Sequence, residues 1–513
     1  MNRLGWVQAP EVFRHRLAEM YAFAESVRQD GIRDVVLCGM GGSSLAPEVL
    51  ATVFGARVGF PRLIVLDSTD PEAIAAVEAR IDLDKTLFVI SSKSGTTIET
   101  DCLRRHFTAR LAARGKRDAG RHLAAITDPG SQLGAIAESE RWRGVFENPE
   151  DIGGRYAALS FFGLVPAALL GLDVERLVAS AEREAAACRA NGDEPCEALV
   201  LGAMMGRLAR EGTDKMTLRC SPGIAPFGMW VEQLVAESTG KAGLGVLPVV
   251  DEAASTRHSR DRFYVDLLLS QDGVRGPLTP SDAPQATFHV RHPYEIGALF
   301  YRFEMATAIA SAVIGVEPFD QPNVAEAKEA TSAVLAGTAG PPETVLASGA
   351  SLSVSAPAEI AARLRVKLAG PATDPSAWLR ALLALAAPGD YIGLLAYVAR
   401  NASRTSILQE IRTAAGATTG GATTFGYGPC YLHSTGQFHK GGPDSGVFLL
   451  IEAPPPAADL PIPGKPFTFG QLFHAQAEGD YRALARRGRR VLRVRLAGPT
   501  DAALAALREA LRR

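Results

Sequence analysis

The 513-residue sequence is poor in cysteine, and its charges nearly cancel. Its six cysteines include no C-x-x-C pair and no zinc-like spacing, so neither a disulfide scaffold nor a structural metal site is expected. Lys plus Arg number 54 and Asp plus Glu number 56, a net charge of −2. No basic excess is therefore available to wrap a nucleic acid or to coat a membrane. A few placed groups could still hold an anionic small molecule.

The sequence also lacks a long apolar run. Its most apolar stretch, residues 378–399, is interrupted by charged residues, proline and glycine, so we expect no membrane span. The N-terminus shows no charged-then-apolar pattern followed by a cleavage site. Hydrophobic residues make up 47% and charged residues 21% of the chain, as in ordinary globular proteins. These features predict a soluble cytoplasmic protein.

Short apolar runs alternate with helix-like segments in the first third of the chain. Four runs, at residues 35–38, 63–66, 87–90 and 123–127, each end in glycine or polar turn residues and precede a segment with helical spacing. Strand, loop and helix in this order predict an α/β fold with doubly wound parallel sheets.

The pattern continues less regularly along the rest of the chain. Further strand-like runs lie at residues 216–220, 262–269, 287–290, 391–398, 446–451 and 491–496. A break rich in proline and glycine at residues 337–342 separates the last part. We predict one lobe at residues 1–172, a second at 173–338, and a C-terminal α/β segment at 339–513. That segment either completes the second lobe or forms a third.

Two loops rich in glycine and hydroxyl groups follow strands of the first predicted lobe. They are G-M-G-G-S-S at residues 39–44 and S-S-K-S-G-T-T at residues 91–97. Each precedes a predicted helix whose free N–H groups and positive dipole end favour an anion. Neither loop has an acidic residue for Mg²⁺ or a nucleotide-binding fingerprint, so a phosphomonoester fits best. The same loops could instead be turns with helix caps, and Glu99 could be structural or face the pocket.

Three further segments carry charged side chains. Arg155 follows two glycines, where its fixed charge can stabilise an oxyanion. Glu237 precedes S-T-G at the predicted end of a helix, where it can face a cleft or pair with Lys241. Lys328 lies about two turns into a helix that begins near Pro322. Taken singly, each also fits a structural role: loop bonding, an ordinary ion pair, or a solvated surface position.

In this order the five segments resemble the phosphoglucose isomerase family. The two loops are similar to the phosphate loops of sugar-isomerase (SIS) domains, and the other three to the segments G-G-R-[FY], E-S-x-G-K and F-D-Q-x-x-V-E-x-x-K. The tail, at residues 426–429 and 433–442, resembles the isomerase half of fused transaldolase/phosphoglucose isomerase proteins, and we expect no transaldolase barrel here. Pro322 and Asn323 depart from the family, which has an aromatic residue and a glycine there.

The resemblance implies interconversion of glucose 6-phosphate and fructose 6-phosphate by a cis-enediol proton transfer, with no metal or other cofactor. Glu237 would move the proton, Arg155 would stabilise the enediolate, and Lys328 would assist ring opening with a histidine. The implied phosphate ligands are Gly42, Ser43, Ser92, Lys93, Ser94 and Thr97. The other implied substrate ligands are Glu99 and Gln321.

The histidine is where the sequence departs most from this family. The N-G-Q-H segment is missing after Lys241, where only His258 is near. The nearest likeness is T-G-Q-F-H at residues 435–439, which makes His439 the first choice and His433 the second. Because the family's histidine comes from the partner subunit, the resemblance also implies a homodimer.

Two alternative functions stay open at this point. One is an isomerase that also accepts mannose 6-phosphate. The other is a SIS-type sensor that binds a sugar phosphate without chemistry.

Overall fold

The computed structural model describes residues 3–115, 119–190, 196–253, 259–274, 276, 278, 282–338, 343–368, 370–456 and 458–512. Within these residues the strands form three sheets, in three successive parts of the chain. Each sheet contains parallel strands joined through helices, which confirms the predicted α/β class. The domain limits themselves stay a prediction.

The first sheet is parallel throughout and has the strand order β2-β1-β3-β4-β5. Its strands are β1 (Asp34–Gly39), β2 (Arg62–Leu66), β3 (Thr86–Ser91), β4 (Leu123–Thr127) and β5 (Gly144–Glu147). The helices of this part are α1 (Ala9–Arg14), α2 (Leu17–Gln29), α3 (Leu45–Phe54), α4 (Pro71–Glu78), α5 (Ile98–Ala113), α6 (Gln132–Ser139) and α7 (Phe161–Leu169). The four predicted strands are confirmed. Strand β5 escaped prediction because it is four residues long and mostly half-buried or exposed.

Helices cover both faces of this sheet, which explains why its strands read as continuous apolar runs. Val35 and Leu37 of β1 belong to one hydrophobic core, whereas Val36 and Cys38 belong to another. Successive side chains of a strand point to opposite faces, so one strand contributes to two cores.

The second sheet is also parallel, with the order β7-β6-β8-β9. Its strands are β6 (Lys215–Cys220), β7 (Leu247–Val249), β8 (Arg262–Leu269) and β9 (Gln285–Val290). The helices are α8 (Val174–Arg189), α9 (Glu197–Arg210), α10 (Phe227–Thr239), α11 (Ile296–Ile314) and α12 (Pro322–Leu335). Helix α12 begins with proline in its first turn, as predicted, because the missing N–H has no partner to lose there.

Helix α11 is the most apolar long helix in the described part of the chain. The segment Pro293–Ile314 is long and apolar enough, by length and composition, to cross a membrane, and 61% of its apolar window is buried inside the protein. It packs against α8, α9 and α10. These contacts are those of a core helix of the second lobe.

The third sheet is mixed, with the order β10-β11-β15-β14-β12-β13. Its strands are β10 (Thr344–Ser348), β11 (Leu352–Ala356), β12 (Tyr391–Tyr397), β13 (Ala422–Tyr427), β14 (Gly446–Glu452) and β15 (Arg490–Leu496). The helices are α13 (Ala358–Lys367), α14 (Pro375–Leu383), α15 (Ala402–Thr419), α16 (Gly436–Gly441), α17 (Phe469–Arg486) and α18 (Thr500–Arg512). Among these described strands, the pairs β10–β11 and β11–β15 are antiparallel and the other pairs are parallel.

The three parts meet where α10, α12, α16 and α17 pack together. Helix α12 packs along α17, and α10 contacts both α3 and α16. Gln437 of α16 fastens this meeting point: its Nε2 donates to the carbonyl of Gly240 (2.9 Å), and its Oε1 accepts from the backbone N–H of Asn323 (2.9 Å). The end of α10 and the start of α12 are therefore held by one buried side chain.

His439 lies in the aromatic core of the third part. Its ring packs against Tyr391 and Phe448, and its Nδ1 is 2.8 Å from the Tyr391 hydroxyl. Burial, and then the charges of Lys440 and Arg489, hold the pKa of His439 well below its ordinary value. This corrects the expectation that His439 faces the two glycine-rich loops, because aromatic side chains enclose the imidazole instead.

The neutral, buried state of His439 predicts a pH-dependent stability. The unfolded chain takes up a proton near pH ~6.5, whereas the folded chain resists protonation until lower pH, so stability is lost as the pH falls below about 6.5. The slope from this group is at most ~1.4 kcal/mol per pH unit. We expect the thermal midpoint of His439→Asn to fall less between about pH 7.5 and 5.5 than that of the unaltered chain. Equal falls would contradict this account.

Candidate active site

The two glycine- and hydroxyl-rich loops lie side by side at the carboxyl ends of β1 and β3. These strands are neighbours in the sheet, with Gly39 paired to Ser91. The Ser91 hydroxyl donates to the backbone carbonyl of Ser43 (3.0 Å), which joins the two loops directly. Parallel sheets bind their ligands at this edge, so the loops stand where an anion is expected.

Two glycines of the first loop, Gly41 and Gly42, lie so close to other segments that no side chain larger than hydrogen fits at either position. A Cβ on Gly42 would lie 2.1 Å from the carbonyl oxygen of Gly154. Gly41 has φ +54°, and its Cβ would meet Gln233 Nε2 at 2.6 Å and the His433 carbonyl at 2.7 Å. The glycines therefore serve packing as well as backbone exposure, and they bring distant segments together.

Arg155 is buried next to the first loop, among Ser238, Gln321 and Glu237; these residues and the two loops are called the site cluster below. Its Nε donates to the Ser238 hydroxyl (2.9 Å) and its Nη1 to the side-chain carbonyl of Gln321 (3.1 Å). Nη1 also lies 3.4 Å from Oε1 of Glu237. The arginine thus connects the segment after β5, the end of α10 and the segment before α12.

Glu237 lies in the last turn of α10 and is 7% exposed. Gln233, one turn earlier, donates from Nε2 to Glu237 (3.2 Å) and to the backbone carbonyl of His433 (2.6 Å). The alternative ion pair between Glu237 and Lys241 is not what holds Lys241, because the helix ends at Thr239 and the ammonium pairs elsewhere.

Lys241 instead fixes the segment that leads into α12. Its Nζ pairs with Asp320 (2.9 Å) and donates to the carbonyl of Ser238 (3.0 Å). The carbonyls of Pro318 and Asp320 in turn accept from Arg155. Burial, and then the nearby Arg155 charge, lower the pKa of Lys241 to about 8.

The third part of the chain brings His433 to the site cluster, where it contacts Glu99 and Gln233. His433 Nε2 lies 3.0 Å from Oε1 of Glu99, which also accepts from Gln476 Nε2 (2.7 Å). The Thr69 hydroxyl donates to Gln476 (2.6 Å) and fixes its orientation. Burial acts to raise the pKa of Glu99, but the charge and hydrogen bond of His433 and the charge of Lys328 outweigh it, so the pKa lies below its ordinary value.

The second loop satisfies part of its own hydrogen bonding. Ser92 Oγ donates to Thr97 Oγ1 (3.1 Å), directly before α5. The Lys93 ammonium pairs with Asp128 and donates to the carbonyl of Glu150 (3.1 Å). Because Asp128 neutralises this ammonium, we expect the Lys93 side chain to be a weaker anion ligand than its place in the sequence suggests.

The remaining predicted positions are less enclosed. Ser94 is exposed and its hydroxyl lies 3.0 Å from that of Thr96. Lys328 is exposed two turns into α12, close enough to Glu99 to influence its pKa. His258 lies outside the described residues.

Sequence reasoning missed two glutamines. Gln233 could have been found, since it precedes Glu237 by four positions and so shares its helix face. Gln476 carried no such signal, because it reaches Glu99 from a helix 377 positions away in sequence.

The cluster combines the groups needed to move a proton on an anionic substrate. Glu237 can accept a proton from carbon, and the adjacent Arg155 can stabilise the negative oxygen that results. His433, paired with Glu99, can exchange a proton with a substrate oxygen. The adjacent loops offer N–H and hydroxyl donors for a phosphate.

The sequence of this chain is similar to sequences of known isomerases. The family model described as phosphoglucose isomerase matches residues 10–242. A protein of Citrifermentans bemidjiense named glucose-6-phosphate isomerase is 30% identical over 393 residues, which cover 64% of this chain and 74% of the relative.

Two solved structures are similar in fold. A hypothetical protein from Thermus thermophilus has a TM-score of 0.59 at 26% identity, covering 65% of this chain and 91% of its own. A glucose-6-phosphate isomerase from Chlamydia trachomatis has a TM-score of 0.53 at 20% identity, covering 64% of this chain and 75% of its own.

The close approach of Gly42 to Gly154 predicts that alanine substitutions at these two positions have very different effects on thermal stability. Gly42→Ala should lower the thermal unfolding midpoint, since overpacking costs ~1–3 kcal/mol and the obstacle is backbone. Gly154→Ala is the matched control, because its Cβ would meet nothing within 4 Å. Differential scanning calorimetry of both variants checks this, and equal midpoints would show that the loop is not packed as described.

Proposed function

Because the chain belongs to the phosphoglucose isomerase family, we propose that it interconverts glucose 6-phosphate and fructose 6-phosphate. The observation that carries the proposal is the buried contact between Glu237 and Arg155, 3.4 Å apart, beside the glycine-rich loop. A general base next to a fixed cation is what the transfer of one proton between C2 and C1 requires.

The substrate phosphate would bind at the two loops. Backbone N–H groups near Gly42 and the hydroxyls of Ser43, Ser92 and Thr97 are the proposed donors, and Ser94 and Lys93 complete the proposed set. The N-termini of α3 and α5 follow these loops and add their positive dipole ends. Phosphate binding at this edge would orient the sugar toward Glu237.

Glu237 would abstract the C2 proton and return it to C1. Gln233 holds one carboxylate oxygen, and Arg155 lies at the other. Arg155 would stabilise the enediolate oxygen in a site that excludes water, where such a charge acts most strongly. Gln321, already bonded to Arg155, would contact the substrate and help to hold the guanidinium in place.

Ring opening is assigned to His433 together with Lys328. Glu99 bonds to Nε2 of the imidazole, and Gln476 holds Glu99 in turn. A histidine fixed by a carboxylate can donate a proton to the ring oxygen and recover it from the hydroxyl. Gln476 acts through Glu99 and is therefore a positioning residue.

The site is proposed to be complete within one chain. The homodimer was expected because the family's histidine comes from a partner subunit, but His433 reaches Glu99 within this chain. We therefore propose that ring opening needs no histidine from a partner subunit, and the homodimer itself stays a prediction. A cytoplasmic location is proposed because none of the six cysteines is paired in a disulfide in the structure, as is usual for proteins of reducing compartments.

A sensor without chemistry is not favoured, since binding alone gives no reason to bury Glu237 against Arg155. Whether mannose 6-phosphate is a second substrate can be tested by supplying that sugar in the coupled dehydrogenase assay described next.

We expect the purified chain to form glucose 6-phosphate from fructose 6-phosphate in a coupled dehydrogenase assay, and Glu237→Gln to reduce kcat by ~10²–10⁴-fold. The fold should survive, because Arg155 keeps its bonds to Ser238, Gln321 and two carbonyls. Glu232→Gln is the matched control on the same helix: burial raises its pKa to about 8, so at neutral pH the protonated carboxyl resembles the amide. Near-full activity in Glu237→Gln would exclude it as the base.

For His433→Ala we expect a larger loss of rate with cyclic glucose 6-phosphate than with an analogue that cannot close the pyranose ring. The reason is that ring opening is the step the imidazole serves, whereas proton transfer at C2 belongs to Glu237. Comparing kcat/KM for the two substrates measures the difference. An equal loss with both substrates would mean that His433 does not serve ring opening.

A further inference from the structure

Two thiols meet where α8 ends and α9 begins. The Sγ atoms of Cys188 and Cys196 lie 3.0 Å apart. Cys188 is in the last turn of α8, and Cys196 directly precedes α9. Both side chains are half-buried, and both cysteines are free thiols.

The neighbouring charges hold these helix ends together independently of the sulfurs. Arg302 of α11 bonds bidentately to Glu184 of α8 (2.8 and 2.7 Å) and pairs with Glu197 of α9 (2.6 Å). Glu184 lies one turn before Cys188, and Glu197 is the residue after Cys196. One guanidinium therefore fixes both helix ends, so bringing the sulfurs into bonding distance requires little rearrangement.

We propose that Cys188 and Cys196 form a reversible intrachain disulfide when the chain meets a peroxide. The S–S bond of a disulfide is ~2.05 Å, so the sulfurs need to approach by about 1 Å. Such bonds in reducing compartments are transient and respond to oxidants. The bond would tie α8 to α9, which both pack against α11 and carry none of the proposed catalytic groups.

The surroundings of the two cysteines indicate which of them reacts first with the peroxide. We assign the first step to Cys196, which directly precedes a 14-residue helix and whose half-buried sulfur would attack hydrogen peroxide. Its sulfur gains one oxygen as a sulfenic acid, the O–O bond breaks, and one water leaves. Burial, and then the contact with Cys196, raise the pKa of the Cys188 thiol and disfavour its thiolate, so Cys188 is assigned the second step, in which the sulfur that it attacks already lies 3.0 Å away.

In that second step the Cys188 sulfur attacks the sulfenic sulfur. The S–S bond forms, the S–O bond breaks, and the hydroxyl leaves as water with the proton of Cys188. The two thiols lose two electrons and two protons in all, and the peroxide is reduced to two waters. A dithiol reductant reverses the bond.

The bond should stabilise the chain without changing catalysis. It would close a loop of about nine residues and so restrict the unfolded chain, which we expect to raise the thermal midpoint by a few degrees. Glu237, Arg155 and His433 lie on other elements, so kcat should change by less than about twofold. A rise in midpoint with unchanged kcat therefore tests the disulfide independently of the proposed isomerase reaction.

The experiment uses the reduced full-length protein treated with a small excess of hydrogen peroxide. Titration of the denatured protein should show a fall from six thiols to four, and the intact mass should fall by about 2 Da. Trypsin cleaves at Arg189, between the two cysteines, so a non-reducing digest should contain peptides 184–189 and 190–207 joined. Dithiothreitol should separate them and return the midpoint to its starting value.

Cys188→Ser and Cys196→Ser are the matched variants. Each should lose both the joined peptide and the peroxide-induced rise in midpoint, while keeping isomerase activity. Retention of six thiols in the unaltered protein, or a bridge between other cysteines, would overturn the proposal. A joined peptide with no rise in midpoint would overturn the claim that the bond fastens the helices.

Discussion

The placement of Arg155 is the constraint on which the site depends. A buried guanidinium must find acceptors, and this one finds them on two segments: the end of α10, and residues 318–321 directly before α12. Removing the partner of a buried charge can cost ~3–5 kcal/mol, which makes such a group a strong organiser of its surroundings. Four bonds other than that to Glu237 let the arginine stay in place through a reaction.

This arrangement leaves the contact with Glu237 free for chemistry. The carboxylate is oriented by Gln233 on its own helix, and Lys241 is occupied with Asp320. The charges that build the scaffold are thus separated from the carboxylate that is proposed to react. A lysine bonded directly to Glu237 would compete for the lone pairs that a base needs.

Two segments of the third part of the chain meet at one carboxylate of the candidate site. Glu99 of α5 accepts from His433 and from Gln476, which lie on two separate segments of that part. Gln437 fastens the same part to the ends of α10 and α12. The alternation of strand and helix predicted β12, β14 and β15 of the third sheet, but not the parallel strand β13 or the antiparallel strands β10 and β11. Short half-exposed strands such as β10 carry little pattern.

The sequence alone predicted the α/β class and most strands, because periodicity and glycine spacing are local features of the chain. It also predicted the candidate groups at residues 39–44, 91–97, 155, 237 and 328, through the resemblance of these segments to the family. Only the tertiary structure shows that the side chains of His433 and His439 lie in different surroundings. Both stand in one short segment, yet one side chain reaches Glu99 and the other is enclosed beside Tyr391. Contacts between residues hundreds of positions apart depend on how the lobes pack, and no local pattern records that packing.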